Sequence, residues 1–312
     1  MERIQIHGTD LEVSRLCFGQ AKLGLRPDEA EGMRLLDIFA ELGGNFIDTA
    51  SVYSDWVPGE RRRSERILGD YFRSHGNRDK FIVCSKGCHY DLETKADRVT
   101  AADFTADLEA SLTALKTDCI DLYLFHRDNL RMPIPVLLEA CEKARAAGKI
   151  RYYGASNWRA QRLMAADRIA QEQGFDGFRV NQLTCHPAVG LTNPMPDDTM
   201  AMWNRNYADY HRRTGMTVMA NSVLAEGFFS APEAGRFAGT MYDTGAARLL
   251  AEKIQGLSRE TGLTPAQICI RFAADYPGIQ MIPVFGTASE ANLREICASF
   301  DKPFPGDALF RF

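Results

Sequence analysis

Short apolar runs rich in β-branched and aromatic residues recur along the chain, and each is bounded by turn-forming or charged residues. They are too short for helices and read as buried strands. The pattern predicts strands over Arg15–Gly19, Asn45–Asp48, Phe81–Lys86, Cys119–His126, Ile150–Ser156, Phe178–Gln182, Met216–Ser222 and Gln280–Gly286, after an N-terminal hairpin from Glu2 to Val13. Between them, apolar residues return at three- and four-residue spacing, as in Met33, Leu35, Leu36, Ile38, Phe39 and Leu42, which predicts amphipathic helices. Pro27, Asp28 and Glu29 mark the start of that helix and Gly43 and Gly44 its end; Gly148 and Gly174 end two others. Eight strands alternating with helices predict a parallel sheet closed into an α/β (β/α)8 barrel, the TIM barrel. A doubly wound open sheet is the alternative, disfavoured because no strand leads into Gly-x-Gly-x-x-Gly at the start of a helix. The longest expected loop, from Val223 to about Thr244, reads as a lid, a cofactor strap or a plain surface loop.

With 312 residues, no internal repeat and no linker-like stretch, one domain over 1–312 is the simpler expectation. The net charge of −4 comes from interspersed acids and bases, with one compact basic run at Arg61, Arg62 and Arg63, which argues against a nucleic-acid surface. No apolar stretch approaches the roughly 20 residues of a membrane span, and the first residues lack the apolar core of a secretory signal. A soluble, cytoplasmic protein is therefore expected. The eight cysteines are scattered through apolar surroundings without a Cys-x-x-Cys pair, as small buried hydrophobes in a reducing compartment are. Cys84, Cys88 and His89 lie close together, but their spacing matches no common zinc signature, and no metal is expected.

Four polar residues change the picture: Asp48, Tyr53, Lys86 and His126 stand at or just beyond the ends of three predicted strands. In a closed parallel barrel the C-terminal strand ends converge on one face, where such folds carry chemistry. Taken singly, Asp48 satisfies turn amides, Tyr53 packs, Lys86 is solvated and His126 is a core histidine. Together they form a proton-transfer unit. A tyrosine titrates near pH 10, too high for efficient exchange at neutral pH; a neighbouring ammonium lowers that value, and a carboxylate holds the ammonium in place. Lys86 and Asp48 supply that pair, and His126 is placed to hydrogen-bond a substrate oxygen if its tautomer presents an N–H.

The segments Asn45–Tyr53, Ser85–Gly87, Leu122–His126 and Gly148–Asn157 resemble the aldo-keto reductases, and the resemblance runs from the hairpin to Pro283. It implies a (β/α)8 barrel that binds a nicotinamide cofactor, NADPH with NADH as the alternative, across the C-terminal face and reduces a carbonyl with Tyr53 as proton donor. It further implies that Asp48 lies near the nicotinamide ribose, that Ser156, Asn157 and Gln182 face the carboxamide, and that Ser222, Leu224 and Gly227 belong to a strap along the pyrophosphate. Two places depart from the family pattern. Asn221 stands where many members have an aromatic residue that stacks on the nicotinamide, with Val223 where proline is common. Gly286, Thr287 and Asn292 stand where a Lys-Ser pair and an arginine often grip the 2′-phosphate, with Arg294 nearby as a substitute contact.

The loops beyond the strand ends carry Trp56, His89, Tyr90, Arg127, Asp128, Trp158, His186, Trp203, Phe228, Phe229 and Tyr242. Such a mixture suits a small, oxygen-rich substrate such as a keto sugar or a polyol, although half of these side chains serve equally to cap a barrel. Two other functions use the same barrel: a cofactor-binding regulatory or scaffold protein with vestigial turnover, and a lyase or epimerase that employs Tyr53 and His126 as acid and base.

Overall fold

The apolar runs pair side by side in the computed structural model of the chain, which describes residues 1–232 and 235–304. A hairpin of β1 (Arg3–Gln5) and β2 (Glu12–Ser14) comes first, with Ile4 opposite Val13. Then β3 (Cys17–Gly19), α1 (Glu29–Glu41), β4 (Phe46–Asp48), α2 (Arg63–His75), β5 (Ile82–Gly87), α3 (Ala101–Leu115), β6 (Ile120–Phe125) and α4 (Ile134–Ala146) alternate. The alternation continues through β7 (Ile150–Ser156), α5 (Ala160–Gln173), β8 (Val180–Thr184), α6 (Arg205–Thr214) and β9 (Thr217–Asn221). Two helices follow, α7 (Gly245–Thr261) and α8 (Pro265–Ala274), before β10 (Met281–Phe285) and α9 (Glu290–Cys297). The strands β3 to β10 are parallel neighbours in sequence order, and β10 closes on β3, so the expected (β/α)8 barrel with its N-terminal hairpin is the fold. No helix among the described residues is long and apolar enough to cross a membrane.

Strand alternation divides the core in two. Phe18, Ile47, Val83, Tyr123, Phe125, Ala155, Leu183, Val218 and Phe285 point outward into the layer under the helices. Cys17, Phe46, Cys84, Leu122, Leu124, Val180, Met219, Ile282 and Val284 point inward, where Ile6, Leu11 and Val13 of the hairpin segment join them and stopper the N-terminal end. The hairpin is tied to the strand starts by polar contacts: Asn45 Oδ1 accepts from Ser14 N at 2.7 Å, and Thr217 Oγ1 from His7 N at 3.2 Å.

Some boundaries differ from the pattern. α1 starts at Glu29, because Asp28 is its N-cap and accepts from Glu31 N, two residues later than a start at Pro27. β8 runs to Thr184 because its ladder with β9 continues to Asn221. The segment after β8, 185–204, is a second long connection, and its Pro187, Gly190, Pro194 and Pro196 carried the turn signal. In the expected loop over 223–244, residues 233 and 234 lie outside the described ones; Thr244 caps α7. Cys84 faces the inner core, Cys88 the outer one and His89 the cleft at the C-terminal end, so these three do not share a metal-binding geometry.

Candidate active site

The same alternation that fills the barrel delivers its polar end. One two-residue step beyond the inward-facing Phe46, Cys84, Leu124, Val180, Met219 and Val284 come Asp48, Lys86, His126, Gln182, Asn221 and Gly286. The side chains of the first five are therefore aimed at the barrel axis by register alone, and Gly286 leaves its inward position without one.

Lys86 is completely buried and all three of its ammonium donors are used. Its Nζ donates to Asp48 Oδ2 at 2.8 Å, to the Thr49 carbonyl at 2.8 Å and to Tyr53 Oη at 3.0 Å. Gln182 Nε2 donates to the other carboxylate oxygen of Asp48 at 2.7 Å. Burial works against the charge of Lys86, but Asp48 and then Tyr53 outweigh it and hold the lysine above its ordinary value. Because the phenol oxygen accepts from Lys86, its own proton is free to point elsewhere.

The direction of the Tyr53 pKa corrects the expectation. Burial raises it, Lys86 lowers it and Asp48 raises it again, leaving it above 10 rather than below. The ammonium does not prevail because burial, the larger effect, opposes it, and Asp48 in direct contact with Lys86 opposes it further. In the free protein Tyr53 is a protonated acid at neutral pH.

His126 lies edge-on to Tyr53, ring centroids 5.7 Å apart. Burial, then Arg127, His89 and Lys86, push its pKa well below the usual histidine range, so the ring is neutral. Nδ1 is buried without a partner among the described residues. A buried N–H without an acceptor is the rarer and costlier orphan, which places the proton on Nε2. His89 stands beside it at 4.7 Å, its Nδ1 donating to the Tyr90 carbonyl at 2.8 Å; burial and then Arg127 lower its pKa to about 4.

Asp48, Tyr53, His89, His126 and Gln182 line one cleft of about 770 Å³, together with Ser156, Asn157, Asn221, Ser222, Leu224, Gly286 and Thr287, while Lys86 lies beneath its floor. Asn157 is committed elsewhere: its Nδ2 donates to the His126 carbonyl and to Ser156 Oγ, both at 3.1 Å, and its Oδ1 accepts from Ala201 N at 3.0 Å. It braces three connections rather than offering a free amide. Asn221 accepts from Thr184 Oγ1 at 3.1 Å, and no ring stands at that position. Gly227 closes the short helical turn Ala225–Gly227 and is not among the residues lining the cleft.

Asn292 and Arg294 are not among the residues lining the cleft. Arg294 pairs with Glu290 at 2.8 Å on the surface of α9, and Arg34 shares that glutamate at 2.6 Å. The basic side chains that do line it are Lys22, Arg26, Arg127 and Arg236. Lys22 and Arg26 lie in the connection between β3 and α1, which could have been read as a strand-end loop. Of the loop residues, Trp56, His89, Tyr90 and Arg127 reach the cleft. Trp158, His186 and Trp203 are buried, Asp128 pairs with Arg162, and Phe228, Phe229 and Tyr242 pack together behind the strap.

The basic run also resolves into structure. Arg62 donates to Ser111 at 2.9 Å and pairs with Asp107 at 3.0 Å and with the buried Glu65 at 3.2 Å; Glu65 in turn accepts from Ser85 Oγ at 2.6 Å. This outer network anchors the Tyr53 loop to β5, the strand that carries Lys86.

A sequence profile of the Aldo/keto reductase family matches residues 15–310. The chain is 28% identical over 306 residues to the uncharacterized oxidoreductase YrpG of Bacillus subtilis, an alignment covering 95% of this chain and 90% of that protein. It is 26% identical to the norsolorinic acid reductase stcV of Emericella nidulans, over 92% of this chain and 75% of that one. With the aldo-keto reductase ausK of Emericella nidulans it shares 30% identity over 72% of this chain and 54% of the relative.

Proposed function

The chain belongs to the aldo/keto reductase family, and on that premise we propose that it reduces a small carbonyl compound to an alcohol with NADPH, Tyr53 giving the proton. The observation that carries this reading is the saturation of Lys86. Its three donors converge on Asp48, Thr49 and Tyr53, which leaves the phenol proton as the one mobile hydrogen of the group.

The cleft fits a nicotinamide dinucleotide in ways its own residues support. Gly19 ends β3 and Gly286 directly follows β10; both line the cleft, and a Cβ at either would press on the backbone of the other strand at 3.2–3.3 Å, so only glycine lets the two chains lie this close along the cleft wall. Ser222, Ala225 and Glu226 of the strap hold positive φ values of 55°, 47° and 55°, a strain that concentrates at ligand clamps. Ser156, Gln182 and Asn221 would hold the nicotinamide end, Ser222 and Leu224 the diphosphate, and Gly286 and Thr287 the remainder, with Arg26 and Arg236 as cations for a 2′-phosphate. When bound, the reduced nicotinamide supplies two electrons and a hydrogen to the carbonyl carbon.

The chain's own residues manage the other hydrogen. His126 Nε2–H and the Tyr53 hydroxyl both donate to the carbonyl oxygen and orient it. As that oxygen gains negative charge, the proton on Tyr53 Oη moves to it, and the phenolate left behind is stabilised by Lys86. Asp48, pinned by Gln182, keeps the lysine charged and still.

Titration by nicotinamide fluorescence, followed by oxidation assays over aldehydes and ketones, tests the reading. Expected are tighter binding of NADPH than NADH, a gap narrowed by Arg236→Ala and untouched by Arg294→Ala, and turnover with carbonyls. Binding without any turnover would support a scaffold role instead, and no binding would support a non-redox enzyme.

A further inference from the structure

We propose that His89 selects carbonyl substrates carrying a hydroxyl group on the carbon next to the carbonyl. The selection rests on the carbonyl-reducing role of Tyr53 and His126 and concerns which carbonyl compounds that site accepts.

The starting point is a tautomer. A carbonyl oxygen only accepts, so the 2.8 Å contact between His89 Nδ1 and the Tyr90 carbonyl requires the proton on Nδ1. In the neutral ring, Nε2 is then a bare lone pair, and no hydrogen bond to it is made by the described residues. His126 is the mirror case, with Nδ1 bare and the proton on Nε2. The two rings lie 4.7 Å apart in the same cleft, so one offers a donor and its neighbour an acceptor.

The acceptor is held in place. Tyr90 Oη donates to Asp197 at 3.2 Å, and Arg127 lies 5.6 Å over the Tyr90 ring. Arg127 donates to Asp197 at 3.1 Å, to Thr199 at 2.8 Å and to the His126 carbonyl at 3.0 Å. These contacts hold Tyr90, whose carbonyl sets the His89 tautomer, and the same guanidinium bonds the His126 carbonyl.

A ligand that satisfies both rings presents an acceptor oxygen and, one carbon away, a hydrogen-bond donor. An α-hydroxy aldehyde or ketone has that pattern. A plain ketone leaves the Nε2 lone pair desolvated and unpartnered, an α-keto acid sets carboxylate lone pairs against it, and an α-ammonium group meets the charges of Arg127 and Lys86.

Hydroxyacetone and 2-butanone differ only by a hydroxyl in place of a methyl, so their kcat/KM values with NADPH make the test. The wild type is expected to favour hydroxyacetone by at least roughly tenfold. His89→Leu should bring the ratio toward one, and His89→Gln, whose amide oxygen can accept, should restore part of it. Equal kcat/KM for the two ketones in the wild type, or a preference unchanged in His89→Leu, would overturn the proposal while leaving the reductase reading intact. Failure to reduce either compound or any simple aldehyde would remove that reading, and the selection with it.

Discussion

The two ends of the barrel interior are built by the same strands with the same alternation, yet they obey different rules. At the N-terminal end Ile6, Leu11, Val13, Phe46, Cys84 and Leu122 form a dry cluster whose members need only to be apolar and of suitable size. One residue pair further along, Asp48 and Lys86 are buried to nearly the same degree and are tolerated only because every donor has a named acceptor. Size is the criterion at one end and pairing at the other. The Lys86 ammonium, held above its ordinary value beside Asp48, stays charged and keeps the Tyr53 hydroxyl in position.

Breaking the pair should give the largest effect. Lys86→Met leaves the Asp48 carboxylate buried without its cation and is expected to cost about 3–5 kcal/mol in a urea denaturation series. Combining it with Asp48→Asn removes both charges and should recover much of the loss. A double variant as unstable as the single one would show that packing, not charge, governs this end.

A milder break sharpens the same point. Gln182→Leu takes the 2.7 Å donor from Asp48 and should cost about 1–3 kcal/mol, through an acceptor left unsatisfied rather than through lost volume. At the other end Ile282→Val removes one buried methylene and should cost about 0.5–1.5 kcal/mol, with turnover per folded molecule unchanged. If Ile282→Val altered turnover as strongly as Gln182→Leu, the two ends would not be separable.

The smallest effect expected is an absence. Tyr53 is the acid in its protonated form, and its pKa is raised, so reductive kcat/KM should fall only as pH rises above about 10. His126, held neutral well below the usual histidine range, adds no acid limb near pH 6.5. A flat profile from pH 6 to 9 is the prediction. A limb near 7 that disappears in Tyr53→Phe would mean that Lys86 wins over burial after all.

Much of this was legible in the chain because strand ends in a closed barrel can only converge. The eight runs, the hairpin and the group of Asp48, Tyr53, Lys86 and His126 follow from alternation and spacing. What could not be read was energetic or conformational. The sign of the Tyr53 shift depends first on how deeply the phenol is buried and then on the opposing charges of Lys86 and Asp48, which no spacing reveals. Arg294 looked available beside the eighth barrel strand, but α9 turns it toward Glu290. Asn157 reads as a ligand group until the segment around Ala201 arrives to occupy it. His89 was visible only as one polar residue among many, since its tautomer is set by the carbonyl of its neighbour Tyr90.

The central claim is that Tyr53 gives the proton. Single-turnover reduction of a reactive aldehyde by Tyr53→Phe with NADPH already bound tests it most directly, since the change removes one oxygen and little binding surface. The prediction is a rate lowered by about 10²- to 10⁴-fold with cofactor affinity nearly unchanged. A wild-type rate in that variant would contradict it.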